Sequence, residues 1–195
     1  MKRILCFITV AAVFMLMTAG ITPSESANNS FNQGFEKHQQ GDLVRAVKLY
    51  TKAIDDYPSF TMAFQMRAIA ELQLKKYQQA INDYSMVITF GEPYFKAVGY
   101  YNRGVAKNMT RDFVGAILDF SQAIELDKKM ASAFFHRGIA KSKIGDFAGQ
   151  TEDFCRAAQL GDVDAERWLN TYYPSWKQNQ PPPPIPQPTP KESPT

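Results

Sequence analysis

From residue 28 onward, apolar and small positions recur at helical spacing in paired blocks. Ala46, Tyr50 and Ala53 step by four and then three residues, which keeps them on one side of a helix. The same steps return at Ala80, Tyr84 and Val87, at Ala116, Phe120 and Ala123, and at Gln150, Phe154 and Ala157. Each block is preceded by a second helical stretch carrying a small residue: Gly34, Ala68, Gly104 or Gly138. Between the two stretches lies a polar dipeptide: Gly41-Asp42, Lys75-Lys76, Arg111-Asp112 or Gly145-Asp146. An apolar residue comes directly after each dipeptide: Leu43, Tyr77, Phe113 or Phe147. The pattern predicts helix, tight turn, helix, four times over. Equivalent positions lie 34, 36 and 34 residues apart, the signature of a repeat architecture. One helix pair cannot bury its own apolar face, so neighbours stack. The predicted fold class is therefore an all-α solenoid of four helix-turn-helix repeats.

Small residues opposite aromatic ones let paired helices approach closely while the ring fills the space beside them. Val163 to Tyr173 reads as one more helix, with Trp168 standing 34 residues after Phe134. It is expected to cap the array over 163–176, burying Trp168, Leu169 and Tyr172, before Pro174 stops it. Proline placement agrees: Pro23, Pro58, Pro93 and Pro174 mark boundaries and the other eight of 12 lie in the tail. Residues 177–195 form a Pro-rich segment with the composition of an extended spacer and no core. At the other end, Lys2 and Arg3 precede an uncharged apolar run from Ile4 to Ile21, then Ser24, Glu25, Ser26 and Ala27. That order predicts an export signal over 1–26, the alternative being an uncleaved anchor.

Together these residues resemble the tetratricopeptide repeat (TPR) family, in a bacterial exported variety, over about residues 28–160. Arg103-Gly104-Val105-Ala106-Lys107 and Arg137-Gly138-Ile139-Ala140-Lys141 carry the resemblance most closely. Repeats are placed at 27–60, 61–96, 97–130 and 131–162. There are departures. Lys128 and Asp162 replace a boundary proline, Gly91-Glu92-Pro93 lengthens the second repeat, and Gln150 stands at a small-residue place, where looser packing or a water beside the amide is expected. The resemblance implies a concave groove for a protein or peptide. It implies backbone-binding roles for Asn32 and Asn102, and groove positions for Phe35, Gln65, Ile69, Tyr101, Phe135 and His136. Phe31, Phe35, Met66 and Val98 occupy four places that a carboxylate-gripping groove gives to basic and amide residues, so the resemblance implies an apolar-rich ligand instead.

Arg67, Arg103 and Arg137 precede the small residue of a first helix, and Asp83, Asp119 and Asp153 precede the aromatic of the second. The first repeat has neither, carrying Gln33 and Leu49. This joint presence predicts an ion pair between the two helices of each repeat. The net charge of +3 and the lack of a basic stripe point away from nucleic acid. Cys155 is the one cysteine outside the N-terminal segment, so no internal disulfide is expected. His38 and His136 fall on different repeats, without a metal, phosphate-loop or nucleophile motif. The sequence therefore predicts a non-enzymatic adaptor with no cofactor, exported and periplasmic. A membrane-tethered assembly factor and a carrier of a small apolar ligand are the alternatives. The open end at Asn28 offers a place for end-to-end stacking on a second copy.

Overall fold

The computed structural model describes residues 22–178, and helices are its only regular elements among them. They are α1 (Glu25–Gln39), α2 (Leu43–Asp56), α3 (Thr61–Gln73), α4 (Tyr77–Phe90), α5 (Pro93–Met109), α6 (Phe113–Leu126), α7 (Ala131–Lys143), α8 (Phe147–Gln159) and α9 (Val163–Tyr172). A 3₁₀ turn over Pro174–Gln178 ends the described chain. The apolar run Ile4–Ile21 and nearly all of the Pro-rich segment lie outside the described residues. No helix among the described residues is long and apolar enough to cross a membrane. The chain forms two compact units, Met1–Lys76 and Tyr77–Thr195, with the division inside the second repeat.

The turn dipeptides work as the first helix's stop and the second helix's start. Gly41 and Gly145 adopt φ of 78° and 85°, the left-handed conformation that glycine reaches without penalty. Lys75 and Arg111 hold the same place at φ 59° and 65° despite their side chains. The next residue donates its N–H back to the helix, Asp42 to Lys37 and Asp112 to Lys107, both at 2.9 Å. Asp42, Asp112 and Asp146 then cap the second helix of their repeats, accepting from the N–H of Arg45, Gly115 and Gly149. The insertion in the second repeat is taken up locally. Glu92 precedes Pro93, which opens α5 at a position where its missing N–H costs nothing. α5 is thus the longest helix among the described residues, at 17 residues, and begins ahead of the boundary at 97.

The N-terminal unit builds its core from Ala46, Tyr50, Ala53, Ala63 and Phe64, with Phe31 packed against Tyr50 and Phe60 at ring centroid distances of 5.7 and 5.1 Å. Ser24 caps α1 through the N–H of Ala27, and Ser26 donates to Asp56 at 2.7 Å. The first helix therefore starts at Glu25, two residues before the boundary expected at 27. In the C-terminal unit, a core of Ala116, Phe120 and Ala140 is succeeded by one of Phe154, Ala157, Ala165, Leu169 and Tyr173. Glycine makes the close approaches. A Cβ on Gly104 would lie 2.8 Å from the Phe120 ring, and one on Gly138 would lie 2.8 Å from Phe154.

The burial expected of α9 needs one correction. Leu169 is fully buried and Trp168 half-buried, but Tyr172 is 69% exposed, and Tyr173 enters the core in its place. The chain leaves the helix at Tyr173, whose extended φ of −146° swings its ring back under α9. Gln150 is buried, with its side chain at the edge of a cleft between α7 and α9.

Candidate functional site

The C-terminal unit carries a polar node in each of its two complete repeats. Arg103 forks onto Asp119, Nε to Oδ2 at 2.8 Å and Nη2 to Oδ1 at 2.7 Å. Arg137 forks onto Asp153 in the same way, at 2.9 and 2.7 Å. Both carboxylates are almost wholly buried, so the bidentate geometry fixes how the helices of each repeat meet. Pairing with Asp119 pushes the Arg103 guanidinium further up from its usual value. Two further kinds of partner join the node that the sequence pattern does not announce. Lys107 and Lys141 add a second cation to each carboxylate, at 2.8 and 2.9 Å. The remaining guanidinium nitrogen reaches back to the previous repeat: Arg103 to Ser85 and Arg137 to Ser121, both at 3.0 Å. In the N-terminal unit, Arg67 donates to Thr51 at 2.9 Å in the same register. A signal for them exists, because Thr51, Ser85 and Ser121 each come directly after the repeat's aromatic residue and Lys107 and Lys141 lie one turn beyond the arginines. These arginines are fastenings between helices rather than an open basic ladder.

The positions expected to face a ligand divide between the units. In the N-terminal unit, Asn32 and Phe35 are exposed on α1, while Gln65 and Ile69 are half-buried on α3. In the C-terminal unit, Tyr101, Asn102, Phe135 and His136 are all half-buried. Three of these four form one aromatic run. Tyr101 meets His136 edge-on at 5.7 Å, His136 lies stacked beside Phe120 at 5.9 Å, and Phe135 stacks on Phe154 at 5.0 Å. Trp168 then meets Phe154 edge-on at 4.9 Å and Tyr172 at 5.2 Å. His136 is therefore packed among the rings of Tyr101, Phe120 and Phe135. Burial pushes its imidazole below the usual value, against the opposing pull of the Asp162 carboxylate. Burial likewise raises the Tyr101 hydroxyl, although a hydrogen bond with Ser132 works in the other direction.

At the end of this run lies a cleft of about 470 Å³. Phe135, Ile139, Trp168 and Tyr172 give it apolar walls, and Gln150, Asp164, Arg167 and Thr171 supply a polar edge. The size and the mixture suit an apolar group held by a few polar contacts. The sequence singles out Phe135, Ile139 and Trp168, but not the place of Arg167 and Asp164, which pair at 2.8 Å on the rim. Among the described residues no group of three metal-capable side chains gathers. His38 lies 3.5 Å from the Tyr50 hydroxyl, whose burial pushes it up to about 12.

No family model matches the chain. The first TPR of Spaghetti (RPAP3), solved bound to the HSP90 peptide SRMEEVD, superposes with a TM-score of 0.59 at 24% identity, over 63% of this chain and 95% of that one. The fold is that of the tetratricopeptide repeat. A second TPR-like neighbour, MamA 41-end from Desulfovibrio magneticus RS-1, gives a TM-score of 0.64 at 22% identity, over 74% of this chain and 77% of that one. In sequence, RNA polymerase II-associated protein 3 of Xenopus tropicalis is 33% identical over 109 residues, which is 55% of this chain and 16% of the relative. The chain spans less than a third of the curated relatives it matches.

Proposed function

We propose that this TPR protein is a non-catalytic adaptor that binds an apolar-rich peptide or protein segment on the aromatic run of its C-terminal unit. The observation that carries the proposal is the run Tyr101, His136, Phe135, Trp168, Tyr172, in which buried Phe154 joins Phe135 to Trp168, ending in an open cleft with a polar rim. Aromatic rings give large contact area at low conformational cost, which is why they anchor interfaces. Asn102 stands beside Tyr101, where its amide can accept from and donate to a ligand's backbone. The TPR of Spaghetti, with its acidic HSP90 peptide, supports peptide binding as the general mode. The ligand of the present chain differs in chemistry, since Phe31, Phe35, Met66 and Val98 stand at the basic and amide places of an anion-gripping groove. On α1, Asn32 and Phe35 form a separate contact area.

The adaptor acts outside the cytoplasm, in a periplasm or as a membrane-tethered form. That placement rests on Lys2-Arg3, the uncharged run Ile4–Ile21 and the small residues after it. Cell fractionation with N-terminal sequencing tests it: a protein confined to the cytoplasm with Met1 intact refutes it. Binding is tested with a panel of apolar-rich and acidic peptides titrated against the purified protein. Apolar-rich peptides are expected to bind, and Tyr101→Ala with Tyr172→Ala to weaken them at least tenfold while helical content stays unchanged. Equal binding by that variant, or selective binding of acidic C-terminal peptides, overturns the assignment.

A further inference from the structure

We infer that the cleft between α7 and α9 is a docking place for the protein's own Pro-rich tail, which competes there with outside ligands. The inference rests on the peptide-binding reading of that cleft. The tail is anchored on α9, the helix that forms one wall of the cleft, on the side turned away from it. After α9 the 3₁₀ turn over Pro174–Gln178 is fastened back onto the helix, Trp176 donating its indole N–H to Asn170 at 3.0 Å and Lys177 pairing with Glu166 at 2.9 Å. Trp176 also packs against the core cluster of Phe154, Ala157, Ala165, Leu169 and Tyr173. The chain therefore continues from a fixed point on the cleft's own helix. The tail has the chemistry that aromatic clefts take. Seven of the ten residues from Pro181 to Pro190 are proline. Such a sequence favours the polyproline helix, which loses little entropy on binding and lays its rings against aromatic walls.

Geometry and charge fit this occupant. At about 3.1 Å per residue, ten residues of polyproline reach roughly 30 Å, about twice the roughly 15 Å length of a ten-residue helix such as α9. The tail can reach across α9 and lie along Trp168, Tyr172 and Phe135. Tyr172 is 69% exposed and stands where the earlier repeats have a small residue, so no further helix of the same kind can cover it. The rim carries both signs, Asp164 and Arg167, and so does the sequence just after the proline run, Lys191 and Glu192. A short tether gives an effective concentration in the millimolar range, enough to fill the cleft through modest intrinsic affinity.

The test uses the full chain and a full-length variant with Pro181, Pro182, Pro183, Pro184 and Pro186 changed to serine. The indole N–H resonances of both are recorded, with Trp168→Phe to assign the signal. The probe is a synthetic peptide of residues 179–195. The Trp168 signal is expected to differ between the two chains at every protein concentration. Added peptide should move the variant's signal toward its position in the unsubstituted chain. The peptide should bind the variant about tenfold more tightly than the unsubstituted chain, whose own tail competes at millimolar effective concentration. Identical Trp168 signals and equal affinities overturn the inference. A difference that disappears on dilution also overturns it, because the tail then docks in a second copy. If the tail peptide binds neither chain while an apolar-rich peptide still binds at Tyr101 and Tyr172, tail docking fails and the adaptor reading stands.

Discussion

Replacing Asp153 by alanine removes the one acidic centre of the fourth repeat's node and leaves two cations facing each other. Asp153 is 2% exposed and accepts from Arg137 at 2.9 and 2.7 Å and from Lys141 at 2.9 Å. Truncating one partner of a buried ion pair costs about 3–5 kcal/mol, most of it from the charge left behind. Here the side chains of Arg137 and Lys141 keep 18% and 17% of their surface in water, which relieves part of that cost. The expected loss is thus at the lower end, about 3 kcal/mol. Urea unfolding monitored by tryptophan fluorescence reads it, because Trp168 touches Phe154, the residue next to Asp153. Hydrogen exchange should place the loss in α7 and α8. Replacing Arg137 and Lys141 by methionine and Asp153 by leucine together is expected to recover most of the stability, since an apolar substitute for a buried ion cluster is often neutral. Glu166→Ala serves as the reference for an exposed pair, with an expected loss below about 0.5 kcal/mol. If Asp153→Ala costs no more than Glu166→Ala, the node does not hold the repeat together and the reasoning fails.

Arg111→Gly should stabilise the protein by about 0.5–1 kcal/mol in urea titrations, because Arg111 holds φ 65°, where a side chain is strained and glycine is not. Gly138→Ala should cost about 1–2 kcal/mol despite alanine's better helix propensity, since the Phe154 ring 2.8 Å from the new Cβ is pinned by Phe135 and Trp168. His136 should make stability depend on pH. Its folded value is lowered by burial, so its contribution is complete above about pH 6.5 and is lost as pH falls through the folded value; in urea midpoints measured between pH 7.5 and 5, His136→Gln should show a smaller acid loss. An equal loss in both proteins would count against the aromatic burial of that ring. Tyr172→Ala should leave the unfolding free energy from urea titration within about 0.5 kcal/mol of the unsubstituted protein's, as expected for a side chain 69% exposed.

The helices and their turns are legible in the sequence because their signals are local. A small, aromatic, small spacing marks a buried stripe, and Gly-Asp marks a stop and then a cap. The start of α1 is less legible. Ser24 and Ser26 have the size of export-boundary residues, and that reading gives no sign that one caps the helix and the other bonds Asp56. The node is half legible. Arginine and aspartate co-vary along the repeats, but Lys107, Lys141 and the hydroxyls of Ser85 and Ser121 join through space, one turn or one repeat away. The register of His136 reads as a groove position, and the rings of Tyr101, Phe120 and Phe135 that pack around it are neighbours a register alone does not reveal.

The repeat pattern also explains why the cleft lies where it does. At the small-residue place that holds Gly104 and Gly138, α9 has Tyr172, and at the arginine place it has Thr171. Cys155, half-buried on α8, stands where Ser85 and Ser121 receive the next repeat's arginine. All three parts of the fastening are thus missing at the same junction. An aromatic ring cannot nest against Tyr172 as Phe154 nests against Gly138, so a further paired helix of this kind has no seat on α9. Among the described residues α9 has no second helix paired with it, and Tyr173 and Trp176 pack on its inner side. The outer side keeps Trp168 and Tyr172 in contact with solvent at the end of the aromatic run. The substitutions that end the repeat are the same ones that leave a binding surface, so restoring the pattern is a direct way to abolish it. Thr171→Arg with Tyr172→Gly should keep the helices folded and remove peptide binding; retained binding would place the site elsewhere on the aromatic run.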